Sequence, residues 1–213
     1  MPRLQQLLQG LLSTLGDVSE GQVAKASALV LGLGPLHKSV YETYRVLGGI
    51  QDAPTIRPGN WDIEFDGVAV ELDEQLHFNE YRALTLQSDL YTRLSAFPLG
   101  AYRKFCNEHQ PDCIRAGSHG NRWTNSGSEA QFGPAGPLGQ LAGCGAPRWK
   151  QRAFYDFVKD AAGLVSSVRV VRLSIWEPVV WGGNSGTIQD LIDHPGTDGA
   201  RTLAEAIRRR AGR

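Results

Sequence analysis

The chain has 213 residues, with 22 Lys or Arg balanced by 22 Asp or Glu, so its formal net charge is zero. At 41% hydrophobic and 21% charged residues it has ordinary globular composition and enough apolar side chains for a sizeable core. The charge balance excludes a wholly electrostatic, histone-like nucleic-acid binder. The absence of any 18-residue apolar run excludes a membrane-spanning helix.

The first residues, Met1-Pro-Arg-Leu-Gln-Gln, lack the pattern of a signal peptide. Three cysteines are too few, and odd in number, for a secreted disulfide scaffold, which points to a reducing, cytoplasmic setting. Leu4, Leu7, Leu8, Leu11, Leu12 and Leu15 recur at helical spacing and predict one apolar helical stripe. A second helix is expected over Glu20–Leu31, stopped by Gly32-Leu-Gly34-Pro35, whose GxG lacks the third glycine of a dinucleotide site. Residues 1–35 therefore read as an N-terminal helical segment. Leu36–Leu47 predicts a further helix that ends at Gly48-Gly49. Trp61–Phe65 and Val68–Asp73 alternate apolar and polar residues around Asp66-Gly67, a two-residue hairpin turn. A helix is expected from near Asn79 to about Ala96. Residues 98–147 are rich in Gly, Pro, Asn and Ser and read as a loop-rich insertion. Trp149–Ala162 predicts a helix and Val168–Ile175 a strand. Gly182–Gly199 reads as loop with a short helix at Ile188–Ile192. Arg201–Arg210 is a last helix whose basic end is expected to fray. The whole, 1–213, reads as one domain.

The hairpin carries the chemistry. A two-residue turn at 66–67 pairs Phe65 with Val68, so facing positions sum to 133 and Asp62 lies opposite Glu71. One face then holds Trp61, Ile63, Phe65, Val68, Val70 and Leu72 and is the buried one; the other holds Asp62, Glu64, Glu71 and Asp73. Opposed carboxylates have Cβ atoms roughly 5 Å apart and repel by about 3 kcal/mol at an effective dielectric of 20. Full solvation, protonation of one acid, or a cation between them would each relieve this. Asp73, Gln75 and His77 continue the same face past the strand end. This run of oxygen and nitrogen ligands suits Mg²⁺ or Mn²⁺ better than a closed zinc site.

Asp62 followed by Glu71-x-Asp73-x-x-x-His77 resembles the PD-(D/E)XK nuclease superfamily, specifically the branch of very-short-patch-repair-like endonucleases. Trp149-Lys-Gln-Arg152-x-x-x-Asp156 followed by Val168-Arg-Val-Val-Arg-Leu173 resembles that branch's later helix and closing strand. Three positions depart from the family pattern: Trp61 stands for a proline, Glu74 for a glycine, and Asp73 for the lysine two residues after the glutamate. The resemblance implies an α/β (α+β) fold with a restriction-endonuclease-like core, formed by residues 36–97 and 148–180. In such a core a small mixed central sheet is flanked by helices, and 98–147 would be inserted into it. It also implies a metal-dependent nuclease acting on DNA. A divalent ion would sit on Asp62 and Glu71, and Asp73 would complete the shell or orient a water. Gln75 and Glu42 would stand nearby, and His77 would serve as general acid or base. Lys150 and Arg152 would hold phosphates of the nucleic acid.

Cys106-x-x-His109-x-x-x-Cys113 with Cys144 is a second constellation, which reads either as a structural Zn²⁺ site or as three reduced cysteines and a histidine. For the whole chain three readings stand side by side: an active endonuclease, an inactive nuclease-fold protein binding nucleic acid or a protein partner, and a protein whose acidic face is merely solvated.

Overall fold

The computed structural model describes residues 3–213. Met1 and Pro2, which begin the expected N-terminal segment and the signal-peptide reading, lie outside the described residues, as does the side chain of Leu31. In chain order the helices are α1 (Arg3–Leu12), α2 (Ala26–Leu29), α3 (His37–Val46), α4 (Glu80–Thr85), α5 (Leu99–Glu108), α6 (Gln110–Gly117), α7 (Gly120–Trp123), α8 (Ser126–Phe132), α9 (Pro147–Val165), α10 (Ile188–Asp193) and α11 (Gly199–Arg210). The strands are β1 (Val18–Ser19), β2 (Ile63–Phe65), β3 (Val68–Asp73), β4 (Val170–Ser174), β5 (Pro178–Trp181) and β6 (Asn184–Thr187). Contacts divide the chain into two compact units, one of residues 1–26, 59–73 and 167–213, the other of 27–58 and 74–166. Among the described residues no helix is long and apolar enough to cross a membrane.

The first unit is a small mixed sheet with helices against it. Its strand order is β1-β2-β3-β4, antiparallel except for the parallel β3–β4 pair. Ile63 faces Val70, Glu64 faces Ala69 and Phe65 faces Val68, the register expected from the two-residue turn. Asp66 at φ +49° and Gly67 at φ +70° supply the paired left-handed residues such a turn requires. The apolar face is buried throughout, from Trp61 to Leu72. On α1, Leu4, Leu8 and Leu12 are buried while Leu7 and Leu15 are exposed, so the stripe is narrower than the leucine spacing implies.

Residues 20–25 are not helical. The backbone N–H groups of Gly21, Gln22 and Val23 instead donate to the Glu64 carboxylate at 3.1, 2.9 and 2.9 Å. Those three donors are spent on an anion, and the helix starts only at Ala26. Beyond β4, Gly182-Gly183 turns β5 into β6 with both glycines at positive φ, a hairpin within the stretch expected to be loop. The C-terminal arginines are docked rather than frayed. Arg208 donates through Nε and Nη2 to the Asp66 carboxylate at 3.0 and 2.7 Å and through Nη2 to the Leu15 carbonyl at 2.9 Å. Arg213 holds the Asp66 carbonyl. Gly16 packs so closely on the turn that a Cβ there would lie 2.6 Å from the Phe65 ring.

The second unit is helical, built around the 19-residue α9. Residues 98–132 are mostly helix, α5 to α8, rather than loop. Their helix-breaking residues sit at helix ends. Pro111 lies in the first turn of α6, Asn125 and Ser128 form a capping box on α8, and Gly133 at φ +82° ends it. α4 starts beside Asn79 as expected, with Asn79 as its cap, but the helix stops at Thr85. Ser88 then caps a separate 3-10 turn over Asp89–Arg93. Arg82 and Asp160 form a fully buried pair at 2.8 Å, shared with the Tyr91 hydroxyl, which donates to Asp160 at 2.7 Å.

Burial alone would raise the Asp66 carboxyl. The Arg208 hydrogen bond, the Asp17 N–H and the charges of Arg208 and Arg213 outweigh it and hold the group below its ordinary 3.8. The stabilisation is therefore complete above pH 3.8 and fades as pH falls through the lowered folded-state value. Asp66→Asn, which tolerates the same turn, is expected to lower the unfolding free energy at pH 7 by about 1 kcal/mol. In denaturant titrations the gap to wild type should close as pH is lowered below 3.8.

Candidate functional site

Register places Asp62, Glu71 and Asp73 on one face of the sheet in the first unit. Asp62 lies one residue before β2 and is half-buried, whereas Glu71 is 2% and Asp73 1% exposed. All six positions of β3 are buried, so its second face is covered as well and the reading of a wet polar face does not hold there. Asp62 and Glu71 interlock through the backbone. The Asp62 N–H donates to Glu71 Oε1 at 3.3 Å, and the Leu72 N–H donates to Asp62 Oδ2 at 2.9 Å. From α1, Gln5 Nε2 donates to the Asp62 carbonyl at 2.5 Å.

Asp73 has a partner that the sequence reading did not place. Arg172, on the neighbouring parallel strand, donates from Nη1 to Asp73 Oδ1 at 2.6 Å, both side chains being 1% exposed. The Arg172 carbonyl in turn accepts from Arg210 Nη1 at 2.7 Å. The sequence signal was only parity: Arg169 and Arg172 sit on opposite strand faces, so one of them had to share the face of the acids.

Asp62 and Glu71 offer hard oxygen donors. Mg²⁺ is commonly held by one or two carboxylates with water and substrate oxygens in the remaining positions, and that donor set fits it. Asp73, engaged by Arg172, is a poorer ligand than expected.

The second unit holds His77, whose Nδ1 lies 2.8 Å from Asp156 Oδ2. With the proton on Nδ1 this is an imidazole oriented by a carboxylate, the arrangement that suits proton transfer. Arg152, half-buried, lies one turn before Asp156 on α9; burial pulls its pKa down and the Asp156 charge pulls it up. Gln75 is half-buried in the 3-10 turn Gln75–His77. Glu42 is exposed on α3 and faces Lys38 at 3.8 Å.

Two expectations are corrected. Lys150 is not displayed to phosphates. Its side chain is buried, Nζ donates to the Cys144 carbonyl at 2.9 Å and lies 5.4 Å from the Tyr81 ring centroid, and burial lowers its pKa. Nor are the zinc ligands assembled. Among the described residues no group of three or more ligand side chains able to share an ion includes Cys106, His109, Cys113 or Cys144. Cys106 and Cys113 are buried, Cys144 is exposed, and His109 faces Asp112 at 3.1 Å. Burial pushes the Cys113 thiol up to about 12.

Residues 42–194, more than half of the chain, match a family described as Family of unknown function (DUF7255), and the chain belongs to it. The matched span includes Asp62, Glu71, Asp73, His77, Asp156 and Arg172. No curated protein and no solved structure matches the chain.

Two outcomes follow from this geometry. A thiol reagent added to the native protein should modify Cys144 quickly and reach Cys106 and Cys113 only on unfolding, read by mass spectrometry. Arg172→Met should cost about 3–5 kcal/mol in unfolding free energy by taking the guanidinium away from the buried Asp73 carboxylate, and the double variant Asp73→Leu/Arg172→Met should recover most of it.

Proposed function

We propose that the chain is a divalent-metal-dependent nuclease that hydrolyses phosphodiester bonds in nucleic acid, DNA by the family it resembles. The supporting observation is the placing of Asp62 directly beside Glu71 on one sheet face, with Glu71 and Asp73 buried on that same face. Mg²⁺ or Mn²⁺, when bound, supplies charge stabilisation at the phosphoryl oxygens and lowers the pKa of a bound water. Asp62 and Glu71 would hold it. Gln5, bonded to the Asp62 backbone, steadies the strand that presents the first acid. Arg172, bonded to Asp73, fixes its rotamer, so that it orients rather than ligates. The carboxylate-oriented imidazole of His77 is of the kind that acid–base catalysis uses. A cytoplasmic setting goes with this reading, since all three cysteines are free thiols.

One observation favours a second reading, a catalytically silent protein that binds nucleic acid or a protein partner. The Arg172 guanidinium already supplies a positive charge at Asp73.

Cleavage separates the two. Wild-type protein should cut DNA with Mg²⁺ or Mn²⁺ and not with chelator. Asp62→Asn and Glu71→Gln should each lower the rate at least about a hundredfold, since the ion's transition-state stabilisation is worth several kcal/mol. Both should also raise metal-free stability by removing like-charge repulsion. A wild-type chain that shifts its melting temperature with Mn²⁺ but leaves DNA intact would favour the silent reading. Substitutions that change neither stability nor activity would reject the metal site on Asp62 and Glu71.

A further inference from the structure

A cleft of about 440 Å³ opens in the first unit at the foot of the β2–β3 hairpin. Its walls come from α1, from residues 18–25 and from 60–64, and Asp62 is one of the wall residues. A molecule in this cleft therefore lies against the carboxylate that the proposed function assigns to the metal. The volume falls in the ~300–1,000 Å³ range of small-molecule sites.

The lining decides which chemistry fits. Three carboxamides, Gln5, Gln9 and Asn60, border the cleft. Gln5 is oriented by its bond to the Asp62 carbonyl, Gln9 is half-buried and Asn60 is exposed. Ser19 also borders it, and its Oγ is buried with no hydrogen-bond partner. Between these polar groups lie Val18, Trp61 and Ile63. The Trp61 ring is pinned by its Nε1 bond to the Ala24 carbonyl at 2.8 Å.

The charges argue against an anion. Glu20, Asp62 and Glu64 border the cleft against the single ammonium of Lys25. Glu64 is tied down by three backbone N–H groups, but Glu20 is exposed, and a phosphate or carboxylate entering here would meet more negative than positive charge. A purely aliphatic ligand fails for the opposite reason, because it would strip water from the carboxamides without replacing its hydrogen bonds. A flat, neutral heterocycle with donors and acceptors along its edge meets both demands. Carboxamide side chains pair with the edges of nucleobases through one donor and one acceptor each.

We propose that this cleft is a nucleobase subsite, which takes the base adjoining the scissile phosphate and leaves the phosphate to the ion on Asp62 and Glu71. The assignment of the neighbouring phosphate rests on the nuclease reading; the chemistry of the cleft does not. Separation of tasks follows from the wall charges. The base is held by uncharged amides, and the anionic part of the nucleotide stays outside.

Uncharged deoxynucleosides titrated against the full chain in the absence of divalent ions test this by calorimetry. At least one should bind saturably at one per chain, and inorganic phosphate should not compete. Gln9→Ala and Asn60→Ala should each weaken binding about tenfold, equivalent to ~1.4 kcal/mol. Gln9→Trp, which fills the cleft from α1, should abolish it. Circular dichroism checks that each variant is folded. No saturable binding, binding unaffected by all three substitutions, or competition by inorganic phosphate would overturn the subsite. DNA cleavage by a chain that binds no nucleoside removes the subsite alone. Nucleoside binding by a chain that never cleaves removes the hydrolytic reading and sustains the cleft as a nucleobase site.

Discussion

The two-residue turn at Asp66-Gly67 sets the register of β2 on β3, and the placement of the charged groups of the first unit follows from it. A slip of one residue would carry Asp62 and Glu64 to the face opposite Glu71 and Asp73 and put Trp61 and Ile63 in their place. The turn is correspondingly well held. Two left-handed residues close it, the Asp17 backbone pairs with Asp66, and Arg208 and Arg213 reach it from the chain's end. Glu64 shows the cost of exactitude elsewhere: its carboxylate takes three N–H groups from residues 21–23, and a stretch with helical composition stays open as a result.

Burial changes the meaning of the acidic face. On a solvated hairpin, opposed carboxylates cost little and need no partner. At 2% and 1% exposure, Glu71 and Asp73 are in a region where a charge demands compensation, and Arg172 provides it at Asp73. The parallel β3–β4 register makes that possible, since it pairs Glu71 with Arg172 and brings an arginine onto the side of the acids. Such a pair adds little net stability over an apolar one, so its physical effect is to fix the geometry of Asp73 rather than to hold the sheet together.

Local chemistry was legible in the sequence, and partners distant along the chain were not. The Asp66-Gly67 turn, the facing sum of 133, the helix start near Asn79 and the helix ending at Gly48 are short-range consequences of residue type, and all are present. Residues 98–132 misled because composition counts glycine and proline without regard to place, and here they punctuate four helices. The Gly182-Gly183 hairpin carried the same signal as Asp66-Gly67 but lacked alternating strands to draw attention to it. Lys150 looked like a phosphate contact only through the family resemblance, which says nothing of its partners in this chain. Its actual acceptor, the Cys144 carbonyl, lies in an irregular loop whose path no periodicity reveals. Arg82 with Asp160 and Arg172 with Asp73 are separated by 78 and 99 positions, beyond any local pattern.

These pairings bear on how the molecule would meet a polyanion. Arg82, Arg172 and Lys150 are buried and bonded, and Arg208 and Arg210 are committed to Asp66 and to the Arg172 carbonyl. Five of the 22 basic residues are thus committed to groups of the fold itself, and the balance of the whole chain is zero. A protein that gripped nucleic acid through its phosphates alone would need those cations on its surface. On the proposed reading the attraction is local instead. A divalent ion at Asp62 and Glu71 supplies positive charge at one point of the backbone, and uncharged amides beside it take up the neighbouring base. Binding would then be weak until metal and base are both engaged, which restricts reaction to substrates that present the two together.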